Sequence, residues 1–112
     1  RRFFERVNTM PNMAQAGVYS SIRHYLEAVV AAGTTDGKEV SRAMKDTPVN
    51  DFFADNGVVR EDGRMVHDMF LVRVKEPSES KYPWDYYEVI STIAGEDAFR
   101  KMEGGGCPLV KP

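Results

Sequence analysis

The sequence predicts an α/β fold, in which two helices are followed by a group of β-strands and a short C-terminal helix. Two observations favour this fold. Residues 13–32 carry apolar side chains at 3.6-residue spacing, whereas residues 57–93 contain short β-branched and aromatic runs between turn-forming residues. The length of 112 residues, with 42% hydrophobic and 29% charged residues, is typical of a single folded domain.

The long helix is predicted at about residues 13–32. Asn12 fits an N-cap and Gln15 completes a capping box, while Gly33 occupies the position where helices commonly end in left-handed geometry. The side chains Arg23, His24 and Glu27 are expected on its solvated side. The predicted apolar stripe of this helix consists of Val18, Ile22, Leu26 and Val29, widened by Tyr19, Tyr25 and Val30.

Two shorter helices flank the long one. Residues 1–7 are predicted to be helical up to the break at residues 8–11. Asp36 and Glu39 repeat the capping-box pattern and predict a helix of about residues 37–45, with Val40, Ala43 and Met44 facing inward. Pro48 favours an end before it, because proline disfavours helical geometry in the preceding residue.

The second half of the chain predicts β-structure. Strands are predicted at about residues 57–60, 65–75 and 84–93, and Asp62-Gly63 is typical of a hairpin turn between the first two. His67 is expected to be a half-buried strand residue.

The C-terminal segment predicts a short helix of about residues 96–102 and an irregular tail over residues 104–112. The tail contains Cys107, which is the one cysteine and therefore cannot close a disulfide within the chain. A free or buried thiol and a disulfide to a cysteine further upstream in a longer protein both stay open.

The composition argues against several classes of function. The net charge is −2 and the 15 basic residues are spread along the chain, so no nucleic-acid partner is expected. His24 and His67 lack metal-ligand spacing, and no serine, cysteine, histidine and acid form a catalytic pattern. We therefore expect no catalytic residue, no metal, no cofactor and no enzymatic activity.

An ordered set of motifs resembles the C-terminal part of type I periplasmic solute-binding proteins, the branched-chain amino-acid ABC transporter substrate-binding family. The set covers nearly the whole chain and consists of residues 10–20 (MPNMAQAGVYS), 48–53 (PVNDFF), 60–69 (REDGRMVHDM), 74–81 (VKEPSESK), 84–87 (WDYY) and 106–110 (GCPLV).

This resemblance implies two α/β lobes that are joined by three crossings and close over a ligand. Residues 1–112 would form a single partial domain, with residues 1–47 belonging to the N-terminal lobe and residues 48–112 supplying hinge-crossing strands and the tail. Most of the pocket would come from upstream residues outside this chain. The ligand-binding residues expected within it are Met13, Ala14, Gln15 and Tyr19.

The functional expectation is capture of a small solute, an amino acid or a related carboxylate, for an ABC permease. The resemblance further implies an exported, periplasmic protein whose signal peptide is not present in this sequence. The alternative is a ligand-sensing or self-associating interaction domain with the same fold and no transport role. We also expect this chain alone to self-associate, because its apolar helix stripe is shaped to face a sheet that the chain does not contain.

Overall fold

The computed structural model describes residues 2–108 and 110, and it confirms the α/β class. Arg1 of the first predicted helix and Leu109, Lys111 and Pro112 of the predicted tail lie outside these residues. The elements are α1 (Arg2–Val7), α2 (Met13–Ala32), α3 (Gly37–Asp46), β1 (Val58–Val59), β2 (Met65–Val66), β3 (Met69–Val74), β4 (Tyr87–Ile93), α4 (Gly95–Ala98) and a 3₁₀ turn (Met102–Gly105).

The ends of α2 are fixed by local hydrogen bonds. The Asn12 side chain accepts from the Gln15 backbone N–H at 2.9 Å, and the Gln15 side chain accepts from the Asn12 N–H at 3.0 Å. At the other end Gly33 has a φ of 63° and donates its N–H to the Val29 carbonyl. The predicted helix of residues 13–32 is therefore confirmed at both ends.

Helix α3 begins with only half of the predicted capping box. The Asp36 side chain accepts from the backbone N–H groups of Lys38 and Glu39 at 3.0 and 3.2 Å. The Glu39 carboxylate accepts from Arg42 on the next turn at 3.0 Å. Helix formation is still supported, since one side-chain oxygen is enough to satisfy the first free N–H groups.

The side of α2 that packs within this chain is its small and polar side. Ser20, His24 and Ala28 are buried there, and Val40 of α3 is buried opposite them. The prediction that His24 is solvated is wrong: the side chain is 5% exposed, and its Nε2 lies 2.9 Å from the carbonyl oxygen of Met44. Because that carbonyl satisfies the ring nitrogen, the imidazole can be buried without losing a hydrogen bond.

The opposite side of α2 carries the large apolar residues and is uncovered. Val18, Tyr19, Ile22, Leu26 and Val30, here called the α2 apolar face, are all exposed, and Val29 beside them is half-buried. The predicted stripe is therefore real, and no element among residues 2–108 covers it. That structure outside this chain covers the stripe stays a prediction.

The predicted strand of residues 65–75 is wrong, because it is two strands in different ladders. β2 pairs antiparallel with β1 and β3 pairs antiparallel with β4. Between them, His67 Nδ1 lies 2.7 Å from the carbonyl oxygen of Asp68, and the Asp68 carboxylate accepts from the Gly95 N–H. These local and long-range side-chain bonds take the backbone out of the ladder. His67 is half-buried as predicted, although it lies between two strands.

The hairpin of β1 and β2 turns at the predicted site. Gly63 has a φ of 80°, and the Arg60 N–H donates to the Arg64 carbonyl at 2.9 Å. The first strand is shorter than the predicted residues 57–60, because Gly57 instead bridges Val49.

Strand β4 begins three residues later than predicted, since residues 84–86 form a turn. Trp84 has a φ of 69°, and its carbonyl accepts from the Tyr86 N–H at 2.9 Å. The Asp85 carboxylate accepts from the Lys81 N–H and from Lys75 Nζ, at 3.0 and 2.6 Å. These contacts hold the turn closed, so the strand begins at Tyr87 rather than at Trp84.

The C-terminal helix predicted at residues 96–102 is also too long. α4 ends at Ala98, and Phe99 is extended with a φ of −116°. The extended backbone brings the Phe99 ring to 5.4 Å from the ring of His67. Tertiary packing here outweighs the local helical preference.

Within the described residues, no helix combines the length and apolarity needed to cross a membrane.

Candidate functional site

An open groove lies between α1 and the N-terminal end of α2. Its volume is about 730 Å³, which is within the range of small-molecule sites. We call it the α1–α2 groove. Its lining residues are Arg2, Phe3, Arg6, Met10, Pro11, Gln15, Ala16, Tyr19 and Phe52.

The chain between the two helices sets the position of the groove. Asn8 has a φ of 55°, a left-handed geometry that asparagine tolerates better than most residues, and it ends α1 abruptly. The capping box of Asn12 and Gln15 then fixes the first turn of α2. The Gln15 side-chain oxygen is used in that box, which leaves its amide N–H groups as the part of the side chain available to a ligand.

One wall of the groove is aromatic. The rings of Tyr19 and Phe52 lie 5.4 Å apart at an interplanar angle of 49°. Phe52 is placed there by a tight turn, in which the Asp51 carboxylate accepts from the backbone N–H groups of Phe53 and Ala54 at 2.7 and 3.1 Å. The pKa of Asp51 is lowered: partial burial acts to raise it, and hydrogen bonds from the Ser20 hydroxyl and those two N–H groups outweigh that effect.

The other wall carries positive charge. Arg2 and Arg6 are four residues apart on α1, a spacing that puts both side chains on one face of a helix. Neither forms an ion pair within the described residues, whereas Arg23 and Arg42 pair with glutamates on their own helices. A pair of guanidinium groups beside an aromatic wall suits a small solute that has a carboxylate and an apolar part.

Two of the four residues expected from the sequence line this groove. Gln15 and Tyr19 are brought together there, while Met13, which is 81% exposed, and Ala14 lie outside the lining. The arginine pair and Phe52 were missed by sequence reasoning. The i, i+4 spacing of Arg2 and Arg6 is a signal that the sequence contains, but nothing local to Phe52 indicates that it packs on Tyr19.

A second depression runs along α2 and has a different character. It is lined by Tyr19, Ile22, Arg23, Leu26, Glu27 and Val30. Most of these residues belong to the α2 apolar face, and the charged pair Arg23 and Glu27 bind each other at 2.8 Å. We therefore interpret this depression as a packing surface rather than as a solute site.

The described part of the chain contains no cluster of three or more histidine, cysteine, aspartate or glutamate side chains suited to a metal. Cys107 is half-buried and forms no disulfide with another described residue. The α1–α2 groove thus remains the candidate site.

Comparison with known proteins identifies the family of this chain. The model of a family described as "Periplasmic binding protein" matches residues 1–81. A solved periplasmic binding protein from Burkholderia mallei is 49% identical over 98% of this chain, with a TM-score of 0.92. A branched-chain amino acid ABC transporter periplasmic ligand-binding protein from Burkholderia xenovorans is 40% identical over 96% of the chain, with a TM-score of 0.89. No curated protein matches the chain.

The chain spans 29% of the length of each of these two solved proteins. The family match extends over well over half of the chain, and the resemblance seen in its motifs is thereby confirmed. The chain belongs to the periplasmic binding protein family, whose members bind solutes.

Proposed function

We propose that this chain is part of a periplasmic, non-enzymatic solute-binding protein that delivers a small carboxylate, such as an amino acid, to an ABC permease. The observation that carries the proposal is the α1–α2 groove, which is lined both by two arginines without an ion pair among the described residues and by the aromatic pair of Tyr19 and Phe52. Charge-assisted hydrogen bonds to a carboxylate are among the strongest available to a protein.

In this proposal the solute is enclosed by two lobes. Residues 1–47 contribute helices to the N-terminal lobe, and residues 48–112 contribute hinge-crossing strands and the tail. The groove is open on one side, which is consistent with the rest of the enclosure being supplied by other parts of a longer protein. Met13 and Ala14 lie at the exposed start of α2, where they are proposed to complete the contacts on closure.

A thermal-shift screen of the full-length protein tests the solute class. Amino acids, small carboxylates and aromatic acids are compared with amines and neutral sugars of similar size. A solute at 100 times its Kd raises the free energy of unfolding by about 2.7 kcal/mol, which is readily measured. Stabilisation by carboxylates alone is the expected result, and the absence of any stabilising carboxylate would contradict the proposal.

Calorimetry with arginine variants then tests the site. Arg2→Gln and Arg6→Gln are each expected to weaken binding about tenfold or more, since a hydrogen bond to a charged group contributes about 1.5–3 kcal/mol. Arg23→Gln is the matched control, because its guanidinium is already paired with Glu27 and Arg23 does not line the groove. Unchanged affinity in both groove variants would place the solute elsewhere.

A second candidate function is supported by the α2 apolar face. Five exposed apolar residues on one helix favour association with another copy or with a different protein, as in an interaction or sensor domain. In this reading the chain by itself self-associates. Sedimentation velocity on the 112-residue chain distinguishes the cases, since a well-folded monomer at micromolar concentration would rule out self-association.

A further inference from the structure

Two short passages at the ends of the β-ladders touch each other: one joins the two ladders, and the other leads from the second ladder into α4. The first passage is His67-Asp68, which joins β2 to β3, and the second is Ala94-Gly95, which follows β4. β1 and β2 form one two-stranded sheet, and β3 and β4 form another. Within the described residues the first passage connects the ladders, so their relative orientation depends on that passage and on the second passage packed against it.

A hydrogen bond and a close backbone approach join the passages. Asp68 Oδ1 accepts from the Gly95 N–H at 3.0 Å, across 27 residues of sequence. Gly95 is buried, and a Cβ at this position would lie 2.9 Å from the His67 carbonyl carbon and 2.9 Å from Val66 Cγ1. Real Cβ contacts are not this short, so only glycine lets the passages lie this close together.

The first passage is also fixed to its surroundings on both sides. The His67 ring lies 5.3 Å from the ring of Phe53 and 5.4 Å from that of Phe99, in edge-to-face geometry in each case. Phe53 is the neighbour of Phe52 in the turn held by Asp51, and Phe52 lines the α1–α2 groove. His67 of the first passage therefore packs against Phe53, the neighbour in sequence of Phe52, which lines the proposed solute site.

We infer that Asp68 and Gly95 are positioning residues that hold the two passages together as one unit and so set the angle between the ladders. This inference rests on the proposed function in one respect: in a protein that closes over a solute, that angle determines how far the groove is open. The residues contact no solute themselves.

The experiment measures this angle in the full-length protein without any solute. Spin labels are attached at Ser41→Cys in α3 and Ser91→Cys in β4, both exposed, after Cys107→Ser and replacement of any other reactive cysteine. Double electron–electron resonance then reports the distribution of distances between the labels. The parent is expected to show one narrow main distance.

Two variants are expected to change that distribution. In Asp68→Ala, the population of molecules at the main distance, relative to the population at all other distances, should fall about fivefold. This factor corresponds to the loss of one hydrogen bond of about 1 kcal/mol. Gly95→Ala shifts the main distance itself, because the added Cβ pushes the passages apart. Asp68→Asn keeps the acceptor oxygen and is expected to retain the parent distribution.

The controls are Asp55→Ala and Gly37→Ala. Asp55 is exposed in the nearby loop, and a Cβ at Gly37 meets nothing within 4 Å. A purely structural role would lower the melting temperature of Asp68→Ala without changing the distances, and that result would overturn the inference. If Asp68→Ala does not fold, an unshifted main distance in Gly95→Ala is by itself enough to overturn the inference. Because no solute is used, a failure to find one does not affect this outcome.

Discussion

Replacing Ile22 and Leu26 by glutamine should destabilise the full-length protein much more than the 112-residue chain. Each side chain is 55% exposed in this structure. Complete burial of Leu or Ile contributes about 1.5–3 kcal/mol, so the part still exposed corresponds to roughly 0.8–1.7 kcal/mol for each residue. If another part of the protein covers the α2 apolar face, the double variant loses about 2–3 kcal/mol of unfolding free energy.

Urea unfolding followed by circular dichroism measures this loss. In the 112-residue chain the same two residues face water. As long as no second copy covers the α2 apolar face, the double variant should change the free energy of unfolding of this chain by about 0.5 kcal/mol or less. Arg23→Gln with Glu27→Gln is the matched control on the same helix, since an exposed i, i+4 ion pair contributes only about 0.3–0.5 kcal/mol. A loss below about 1 kcal/mol in the full-length protein would refute the idea that this face is covered.

Three further predictions concern single contacts. His24→Ala should cost about 2–3 kcal/mol in urea unfolding, because it removes the hydrogen bond to the Met44 carbonyl and opens a cavity at the buried position of His24. The hydrogen bond from Arg73 lowers the pKa of Glu79 to about 2. The stabilisation from this carboxylate is therefore complete above about pH 4.5 and is lost as the pH falls towards 2. NMR of the side-chain carboxyl group measures this pKa. Phe52→Ala should weaken solute binding by about threefold to tenfold in calorimetry, since aromatic pairs contribute about 0.5–1.5 kcal/mol beyond their buried area.

Each of these three has its own control. Arg42→Ala removes an exposed side chain from α3 and should leave stability nearly unchanged, and a His24→Ala cost no larger than this would contradict the buried bond. Glu79→Gln should remove the loss of stability in acid, and Glu96→Gln, which changes an exposed glutamate, is its control. A Glu79 pKa near 4.5 would disprove the pairing with Arg73. Phe70→Ala on β3 should leave the solute affinity unchanged, and an equal effect of both phenylalanine variants would argue against a specific wall.

Helix α2 was predictable because the interactions that fix its ends are local. The Asn12–Gln15 capping box and the left-handed Gly33 each involve residues within four positions of one another. The break at His67-Asp68 was missed because it depends on Gly95, which is 27 residues away. The burial of His24 was missed for the same reason, since the carbonyl of Met44 lies 20 residues further along the chain.

The candidate site was predicted in part. The start of α2 was correctly placed, so Gln15 and Tyr19 could be proposed from their helical positions. The contribution of Arg2 and Arg6 depends on the direction of α1, which the positive φ of Asn8 sets and which no sequence pattern specifies. The place of Phe52 depends on a turn held by Asp51 against α2, a contact between distant segments.

A crystal structure of the full-length protein grown with its solute would test the central claim most directly. We expect a solute carboxylate about 2.7–2.9 Å from a guanidinium nitrogen of Arg2 or Arg6, with its apolar part against Phe52. A solute bound between other elements, with the α1–α2 groove empty or filled by a side chain, would contradict the claim.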